Sequence, residues 1–288
     1  MPRHALRARL KGPRRKLESK VALVTGSGCG IGRAIALKLA REGAWIVVND
    51  RDAESTNVVL AERKAAGAQA ISVIGPVNDD GFAARFVGAA MEQFGTIDIV
   101  VNNAGYTWDA SIQKATDEQF QTMLDVHVMA PFRILRAAAE PIRLAAKKDA
   151  AEGREVFRKV VNISSVAGLF SNPGQVSYAS AKASLIGMTK TLSKEWERYK
   201  VNVNCVAFGL INTRLTQPIE AGKSLIEIDG REIAVGIQPA TRETFEKMIP
   251  IDRAGTLEEA ADAVYLLCSP ESNYISGQVL VCGGGLAL

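Results

Sequence analysis

The chain has 288 residues, 47% hydrophobic and 23% charged with 25 glycines, enough to bury one sizeable core in a soluble α/β protein with many tight connections. Four scattered cysteines, Cys29, Cys205, Cys268 and Cys282, have neither disulfide-framework nor metal-ligand spacing, and His4 and His127 are the only histidines, so a reducing setting and a site without metal are expected. The net charge of +4 is uneven: residues 1–20 carry eight Lys or Arg against Glu18, a net +7, which leaves −3 on the remainder.

Residues 1–19 read as a basic, flexible arm and 20–288 as one domain. The arm lacks the apolar core of a secretory signal peptide; organellar targeting, contact with an anionic partner and simple disorder all fit it. It has no Phe, Tyr or Trp to stack on bases, so a nucleic-acid partner has only electrostatics in its favour. No stretch approaches the roughly 20 apolar residues that span a bilayer, so a membrane partner is not expected and a cytoplasmic location is.

Val21-Ala22-Leu23-Val24 predicts a buried strand, followed by Thr25-Gly26-Ser27-Gly28-Cys29-Gly30-Ile31-Gly32 and a helix through Arg41. In this strand, glycine turn and helix, Gly26 permits the turn, Gly30 lets backbone approach a ligand and Gly32 allows close helix packing. N–H groups at the helix start can then hold a pyrophosphate, which puts Gly26, Ser27, Gly30, Ile31 and Gly32 at a dinucleotide. Residues 44–49 predict the next strand, with Asp50 at its carboxyl end, eighteen residues past Gly32. A carboxylate there accepts hydrogen bonds from both ribose hydroxyls of NAD and repels a 2′-phosphate. Arg51 pulls the other way if it pairs that phosphate, and is neutral if it stacks on adenine or faces solvent; NAD is preferred to NADP.

Residues 69–76 predict a third strand, 79–94 a helix and 97–101 a fourth strand ending in Asn102-Asn103-Ala104-Gly105. That end lies where open parallel sheets bind ligands. Asn103 either satisfies backbone groups or contacts the cofactor, and Gly105 removes a side chain near its ring. Residues 145–154 form a charged stretch expected as solvated surface after a helix. Val160-Val161-Asn162-Ile163 predicts a buried strand with Ser165 just beyond it, and Tyr178 and Lys182, four apart, share a helix face and one cleft. A phenol has a pKa of about 10, which a nearby ammonium lowers, and a serine hydroxyl can hold a substrate oxygen beside it. This is chemistry for moving a proton on and off an alcohol or carbonyl oxygen. After a strand at 202–206, the segment 214–249 contains an extended or hairpin stretch at 225–231 and a helix near 241–248.

Taken jointly, Thr25-Gly26-x-x-x-Gly30-Ile31-Gly32, Asn102-Asn103-Ala104-Gly105, Ser165, Tyr178-x-x-x-Lys182, and Tyr274-Ile275-Ser276-Gly277-Gln278 followed by Gly283-Gly284 resemble the short-chain dehydrogenase/reductase family, over residues 20–285. The resemblance implies an α/β fold, a single Rossmann domain with a doubly wound seven-stranded parallel sheet flanked by helices. It also implies a homotetramer, or alternatively a dimer, with long helices at 119–139 and 178–199 in one interface. Met188 and Leu192 suit that interface or the sheet of their own subunit. By resemblance, Tyr178 is the acid/base, Lys182 holds the nicotinamide ribose and lowers the tyrosine pKa, and Ser165 orients the substrate oxygen. Val77, Ala104, Ile211 and Thr213 join the cofactor contacts, Thr213 through the carboxamide. The hydride belongs to the cofactor.

The chain departs from the family pattern at several places. His127 stands where many members have an asparagine that fixes a water in a proton relay; it either relays protons, with an ordinary pKa near 6.5, or is a buried structural histidine. Phe208-Gly209 replaces Pro-Gly, so the turn aiming Ile211 and Thr213 loses its proline, and Pro76 and Cys282 each replace an aspartate. His127 with Asn172-Pro173-Gly174-Gln175 resembles the hydroxyacyl-CoA dehydrogenase domains of peroxisomal multifunctional enzymes, and the broader match is to 3-oxoacyl-thioester reductases. The expected reaction interconverts a 3-oxoacyl thioester, on coenzyme A or acyl carrier protein, and its 3-hydroxyacyl form. The alternatives are a dehydrogenase for a steroid, sugar or other secondary alcohol, and a nonenzymatic NAD sensor, which the intact Ser165, Tyr178 and Lys182 oppose. Segment 214–249 is expected to be a substrate lid long enough for a bulky or elongated substrate. Its Lys223, Arg231 and Arg242 either meet phosphates of the carrier or are ordinary surface charge.

Overall fold

The computed structural model describes residues 15–65, 69–219, 225–228 and 230–286. Most of the expected basic arm, 1–14, and Lys223 lie outside them. The strands in chain order are β1 (Val21–Val24), β2 (Trp45–Asp50), β3 (Ala70–Ile74), β4 (Ile99–Asn102), β5 (Arg158–Ser165), β6 (Val201–Phe208), β7 (Leu225–Ile228), β8 (Arg231–Ala234) and β9 (Val279–Cys282). The helices are α1 (Gly30–Arg41), α2 (Ala53–Ala65), α3 (Phe82–Phe94), α4 (Asp117–Leu124), α5 (Ala130–Ala151), α6 (Ala167–Phe170), α7 (Val176–Glu195), α8 (Pro239–Met248) and α9 (Leu257–Cys268).

Seven strands form one parallel sheet in the order β3-β2-β1-β4-β5-β6-β9, and β7 and β8 pair as a separate antiparallel hairpin. Every residue of β1, β4 and β6 is buried, as expected for a parallel sheet covered on both faces. The period of two divides β1 between two cores: Val21 and Leu23 pack with Phe82, Phe86, Met123 and Ile134, whereas Ala22 and Val24 pack with Ile35, Leu39, Val264 and Leu267. Strand order reverses between β1 and β4, which opens a crevice at their carboxyl ends. Among the described residues no helix is long and apolar enough to cross a membrane.

Three expectations change here. Residues 15–19 do not extend freely: Leu17 is 2% exposed and its N–H donates to the Glu42 carbonyl at 2.9 Å, because an apolar side chain so close to the core gains more by docking than by solvation. The charged stretch 145–154 is helical to Ala151, and its Asp149 is buried, accepting from Arg158 at 2.8 Å and Arg154 at 2.7 Å. The long helix around 119–139 is interrupted by a π-helical segment, Asp125–Met129, between α4 and α5.

Phe208 takes the proline's place without loosening its turn. It is 5% exposed and paired with Cys282 of β9, its carbonyl accepts from Val166 N–H at 2.9 Å, and Gly209 N–H donates to the Cys282 carbonyl at 3.0 Å.

Candidate active site

The glycine turn after β1 is fastened from two directions. Thr25 Oγ1 accepts from the Asn103 and Ala104 N–H groups, both at 3.0 Å, and the Asn103 amide donates to the Thr25 and Gly26 carbonyls at 3.0 and 3.1 Å. Of the two roles open to Asn103, the structure shows its side chain satisfying backbone. From the other side, Asn49 accepts from Gly26 N–H at 3.2 Å and donates to the Val73 and Gly75 carbonyls at 3.0 and 2.9 Å. Asn49 was not singled out by motif, although a lone amide ending the apolar run Trp45-Ile46-Val47-Val48 was its signal.

Ser27, expected at the cofactor, turns inward instead. It is fully buried, its hydroxyl donates to the Val24 carbonyl at 2.8 Å and accepts from Asn49 N–H at 3.0 Å, so its side chain shapes the turn. Gly26 has φ +60°, and a Cβ there would come within 2.7 Å of Ala104 Cα. Gly30, at φ +54°, has nothing within 4 Å of where a Cβ would lie. Gly32, expected to serve helix packing, is required by the turn itself: a Cβ would meet the Gly26 carbonyl at 2.0 Å.

These residues fit a dinucleotide. The first turn of α1 has no acidic residue, and no side chain caps its N-terminus, so its N–H groups remain suited to a pyrophosphate beside the open face of Gly30. Asp50 closes the other end, its carboxylate accepting from Gly28 N–H at 3.0 Å and Arg51 N–H at 2.8 Å. Burial, then the Asp50 charge, push the Cys29 thiol up, with Arg214 opposing. Val77 and Ile211 are buried, at 7% and 3% exposure. Thr213 sits in a tight turn, its N–H donating to Thr216 Oγ1 at 3.0 Å and the two hydroxyls 3.2 Å apart.

The catalytic candidates meet at the same edge. Ser165 ends β5, and its hydroxyl accepts from Ala167 N–H at 3.1 Å. Tyr178 and Lys182 project from the first turns of α7, and the Ser165 hydroxyl lies near enough to the tyrosine to favour its charged form. Lys182 Nζ donates to the Ile163 carbonyl at 2.8 Å and lies 5.6 Å from the Tyr178 ring centre. Its own carbonyl accepts from Ser164 Oγ at 2.8 Å, which ties α7 to β5. The expected lowering of the phenol by this lysine is not found. Burial pushes Tyr178 up to about 12, with Ser165 opposing and the Asp109 charge adding to it, and burial brings Lys182 down to about 8. Enclosure disfavours phenolate and ammonium alike and outweighs their attraction.

Asp109 is a site residue that motif reading missed. It accepts from Gln175 Nε2 at 2.7 Å, and Gln175 in turn accepts from Asn172 at 2.9 Å, so the Asn172-Pro173-Gly174-Gln175 stretch binds the loop after β4 to the start of α7. Only the folded chain brings Asp109 and Gln175, 66 positions apart, together.

His127 lies in the π-helical segment, a distortion frequent at functional sites. It is 1% exposed, its ring stands edge-on to Tyr178 with centres 5.3 Å apart, and Nε2 is 2.8 Å from the Tyr106 carbonyl. A carbonyl only accepts, so Nε2 carries the proton and Nδ1 is a buried acceptor with no partner among the described residues. Burial first, then the Lys182 charge, hold its pKa well below the ordinary 6.5, so the ring stays neutral near pH 7 and does not titrate where the sequence placed it. Gly105 exists for this ring, since a Cβ there would reach His127 Cε1 at 2.1 Å. Gly105→Ala should therefore cost about 1–3 kcal/mol of overpacking, measured by denaturant unfolding. In a His127→Ala background the same change should cost almost nothing.

Segment 214–249 carries the expected extended or hairpin stretch, as a hairpin, and the helix, and of its three singled-out cations the two described, Arg231 and Arg242, are engaged within the protein. Arg231 pairs with Glu118 at 2.5 Å; Arg242 donates to the Thr216 carbonyl at 2.6 Å and Asn212 at 2.5 Å and pairs with Glu246 at 3.0 Å. Neither is held ready for a phosphate. Met188 and Leu192 are partly buried against the core of their own subunit.

A crevice at the switch point of a doubly wound sheet, with a hydroxyl pair and a lysine at its lip, defines an oxidoreductase of Rossmann type. Residues 26–287 match the family described as enoyl-(acyl carrier protein) reductase. Similar proteins include the 3-oxoacyl-(acyl-carrier-protein) reductases of Thermotoga maritima, 32% identical over 95% of this chain and 100% of that protein, and of Synechocystis, 34% identical over 94% and 98%. The peroxisomal hydratase-dehydrogenase-epimerase of Saccharomyces cerevisiae is 34% identical over 70% of this chain and 22% of its own length. The chain belongs to the short-chain dehydrogenase/reductase family. Membership makes it an oxidoreductase and implies a nicotinamide cofactor.

Proposed function

We propose that this chain interconverts a 3-oxoacyl thioester and its 3-hydroxyacyl form, with NAD as cofactor. The observation that carries the chemistry is the gathering of Ser165 at the end of β5 with Tyr178 and Lys182 of α7, Lys182 Nζ lying 5.6 Å from the Tyr178 ring centre, at the lip of the dinucleotide crevice. The thioester reading draws on the relatives, two of which are named for 3-oxoacyl carrier-protein reduction. Bound at the glycine turn, Asp50 and Thr213, the cofactor supplies or accepts the hydride. The chain's own residues handle the proton: Ser165 holds the substrate oxygen, and Tyr178, kept neutral by burial, donates its proton to that oxygen in reduction and becomes phenolate; oxidation runs the same step backwards, starting from the phenolate, which takes the alcohol proton. Lys182, held by its bond to the Ile163 carbonyl, would hold the ribose hydroxyls of the bound cofactor. Segment 214–249 acts as the lid.

His127 serves as a neutral acceptor, its Nδ1 receiving a hydrogen bond from a relay water. In His127→Asn the pH profile of turnover should change by at least half a unit at one limb. Unchanged rates and pH dependence sink the relay. Phe120, Met129, Phe132 and Leu144, all exposed along α4, α5 and the π-helical segment between them, support a homotetramer built on that face.

A turnover screen crossing NADH and NADPH with short and long 3-oxoacyl thioesters and with unrelated ketones tests the whole reading. Turnover of thioesters with NADH is expected. Activity confined to steroid, sugar or simple ketones defeats the substrate assignment.

A further inference from the structure

The loop after β4 is joined to the start of α7 without the help of the Asp109 side chain. Ala110 N–H donates to the Gly174 carbonyl at 2.9 Å, and Ala110 pairs with Gln175 as a parallel bridge. To this backbone seam the side chain adds one bond, accepted by Asp109 Oδ2 from Gln175 Nε2 at 2.7 Å. Its other oxygen has no donor, and no Lys or Arg pairs with the carboxylate, among the described residues. The guanidinium of Arg231, 5.7 Å over the ring of the neighbouring Trp108, is already paired with Glu118, and Lys182 Nζ donates to the Ile163 carbonyl. Gln175 caps α7 and its carbonyl accepts from Ala179 N–H at 2.7 Å, so Gln175 and Tyr178, three apart in helical register, are neighbours on one face. Burial first, with Ser165 opposing, and then the Asp109 charge push the Tyr178 phenol up, which puts the carboxylate within electrostatic reach of the reacting hydroxyl.

A carboxylate without a counter-charge is costly where water is scarce. The single bond it makes here is one that a neutral amide oxygen would accept equally well, so holding the loop does not explain the charge. Burial raises the Asp109 pKa, and the Gln175 bond works against that rise by favouring the charged form. The charge acts instead on what is bound beside Tyr178. In a 3-oxo acid the carboxyl carbon lies two single bonds of about 1.5 Å each from the reacting carbonyl carbon. When that carbonyl meets Ser165 and Tyr178, a free carboxylate therefore enters the field of Asp109. For like charges about 8 Å apart at an effective dielectric constant of about 20–40, repulsion disfavours binding about five- to thirtyfold. A thioester or ester at the same carbon is neutral and escapes this repulsion.

We propose that Asp109, held beside Tyr178 by Gln175, is a specificity-determining residue whose charge excludes substrates that are anionic next to the reacting carbonyl, so that the site takes the neutral thioester of a 3-oxo acid and rejects the free acid. The choice of thioester as the accepted partner rests on the function proposed above; the exclusion of anions does not.

The test compares kcat/KM for a short-chain 3-oxo acid, its methyl ester and its coenzyme A thioester, together with the inhibition constants of a short saturated carboxylate and its carboxamide. Asp109→Asn keeps an oxygen for Gln175 and removes the charge; Asp109→Ser removes it with a different shape; Asp109→Glu retains it. In Asp109→Asn and Asp109→Ser the ester-to-acid ratio of kcat/KM should fall about five- to thirtyfold, and the preference for carboxamide over carboxylate as inhibitor should fall in step. In Asp109→Glu both ratios should stay within threefold of wild type. Ratios that stand still in both uncharged variants overturn the exclusion, and an equal fall in Asp109→Glu overturns it as well, because shape and not charge is then responsible. If neither thioester nor ester is turned over, the thioester reading falls; the inhibitor pair, measured against whichever ketone is reduced, then supports the exclusion by shifting or overturns it by standing still.

Discussion

Tyr178→Phe should lower kcat by about 10²–10⁴-fold in both directions, the usual contribution of a positioned acid/base, and leave the Kd for NADH within twofold. The substitution removes only the hydroxyl. The ring that stands edge-on to His127, 5.3 Å between centres, is retained, so thermal stability should hardly change. Stopped-flow hydride transfer together with cofactor titration separates the two effects, and full activity in the variant would end the assignment of Tyr178. The pH dependence follows from burial. With the phenol pushed up to about 12, Tyr178 stays protonated through any practical assay, so an alkaline limb near pH 8 in the reductive direction reports Lys182, which burial brings down to about 8. The same shift has a stability sign. Between about pH 8 and the ordinary lysine value of 10.5 the unfolded chain holds the proton that the folded one has lost, so this group's contribution rises with pH across that window.

Asp50→Asn should lower kcat/KM for NADH by about ten- to hundredfold, the scale of losing charge-assisted hydrogen bonds to two ribose hydroxyls, and raise it for NADPH. The reason is local. The Asp50 carboxylate is the acidic end of the crevice, and its charge is the largest electrostatic influence on Cys29 in the glycine turn, ahead of Arg214. The carboxylate also accepts from the Gly28 and Arg51 N–H groups, so a carboxamide loosens the turn as well as removing charge. Steady-state kinetics with both cofactors, read as a ratio, isolate the charge effect from the loosening. A wild-type enzyme that prefers NADPH, or a ratio that does not move, overturns the NAD assignment.

Much of the scaffold was legible from spacing. The apolar runs at 21–24, 44–49 and 160–163, the glycine turn and the Tyr178–Lys182 interval are local patterns, and local patterns encode backbone conformation and the face a side chain takes. The extended or hairpin stretch at 225–231 was visible for the same reason, and the structure carries its second strand on to Ala234. The helix break at 125–129 was not, because Asp125-Val126-His127-Val128-Met129 carries no glycine or proline to announce it.

The sequence by itself determined which residues gather at the carboxyl edge of the sheet, since strand, turn and helix periods decide where Gly30, Asp50, Ser165, Tyr178 and Lys182 emerge. Only the tertiary structure decided what several of them do there. Ser27 turned inward and Asn103 turned to the glycine loop because buried backbone groups need partners. Tyr178 and Lys182 moved apart in pKa, and His127 became neutral, because enclosure by distant segments removed the water that stabilises charge. Arg231 found Glu118, and Asp109 found Gln175, across separations that no local period spans. Periodicity is a property of neighbours along the chain, whereas desolvation and hydrogen-bond partners are properties of neighbours in space.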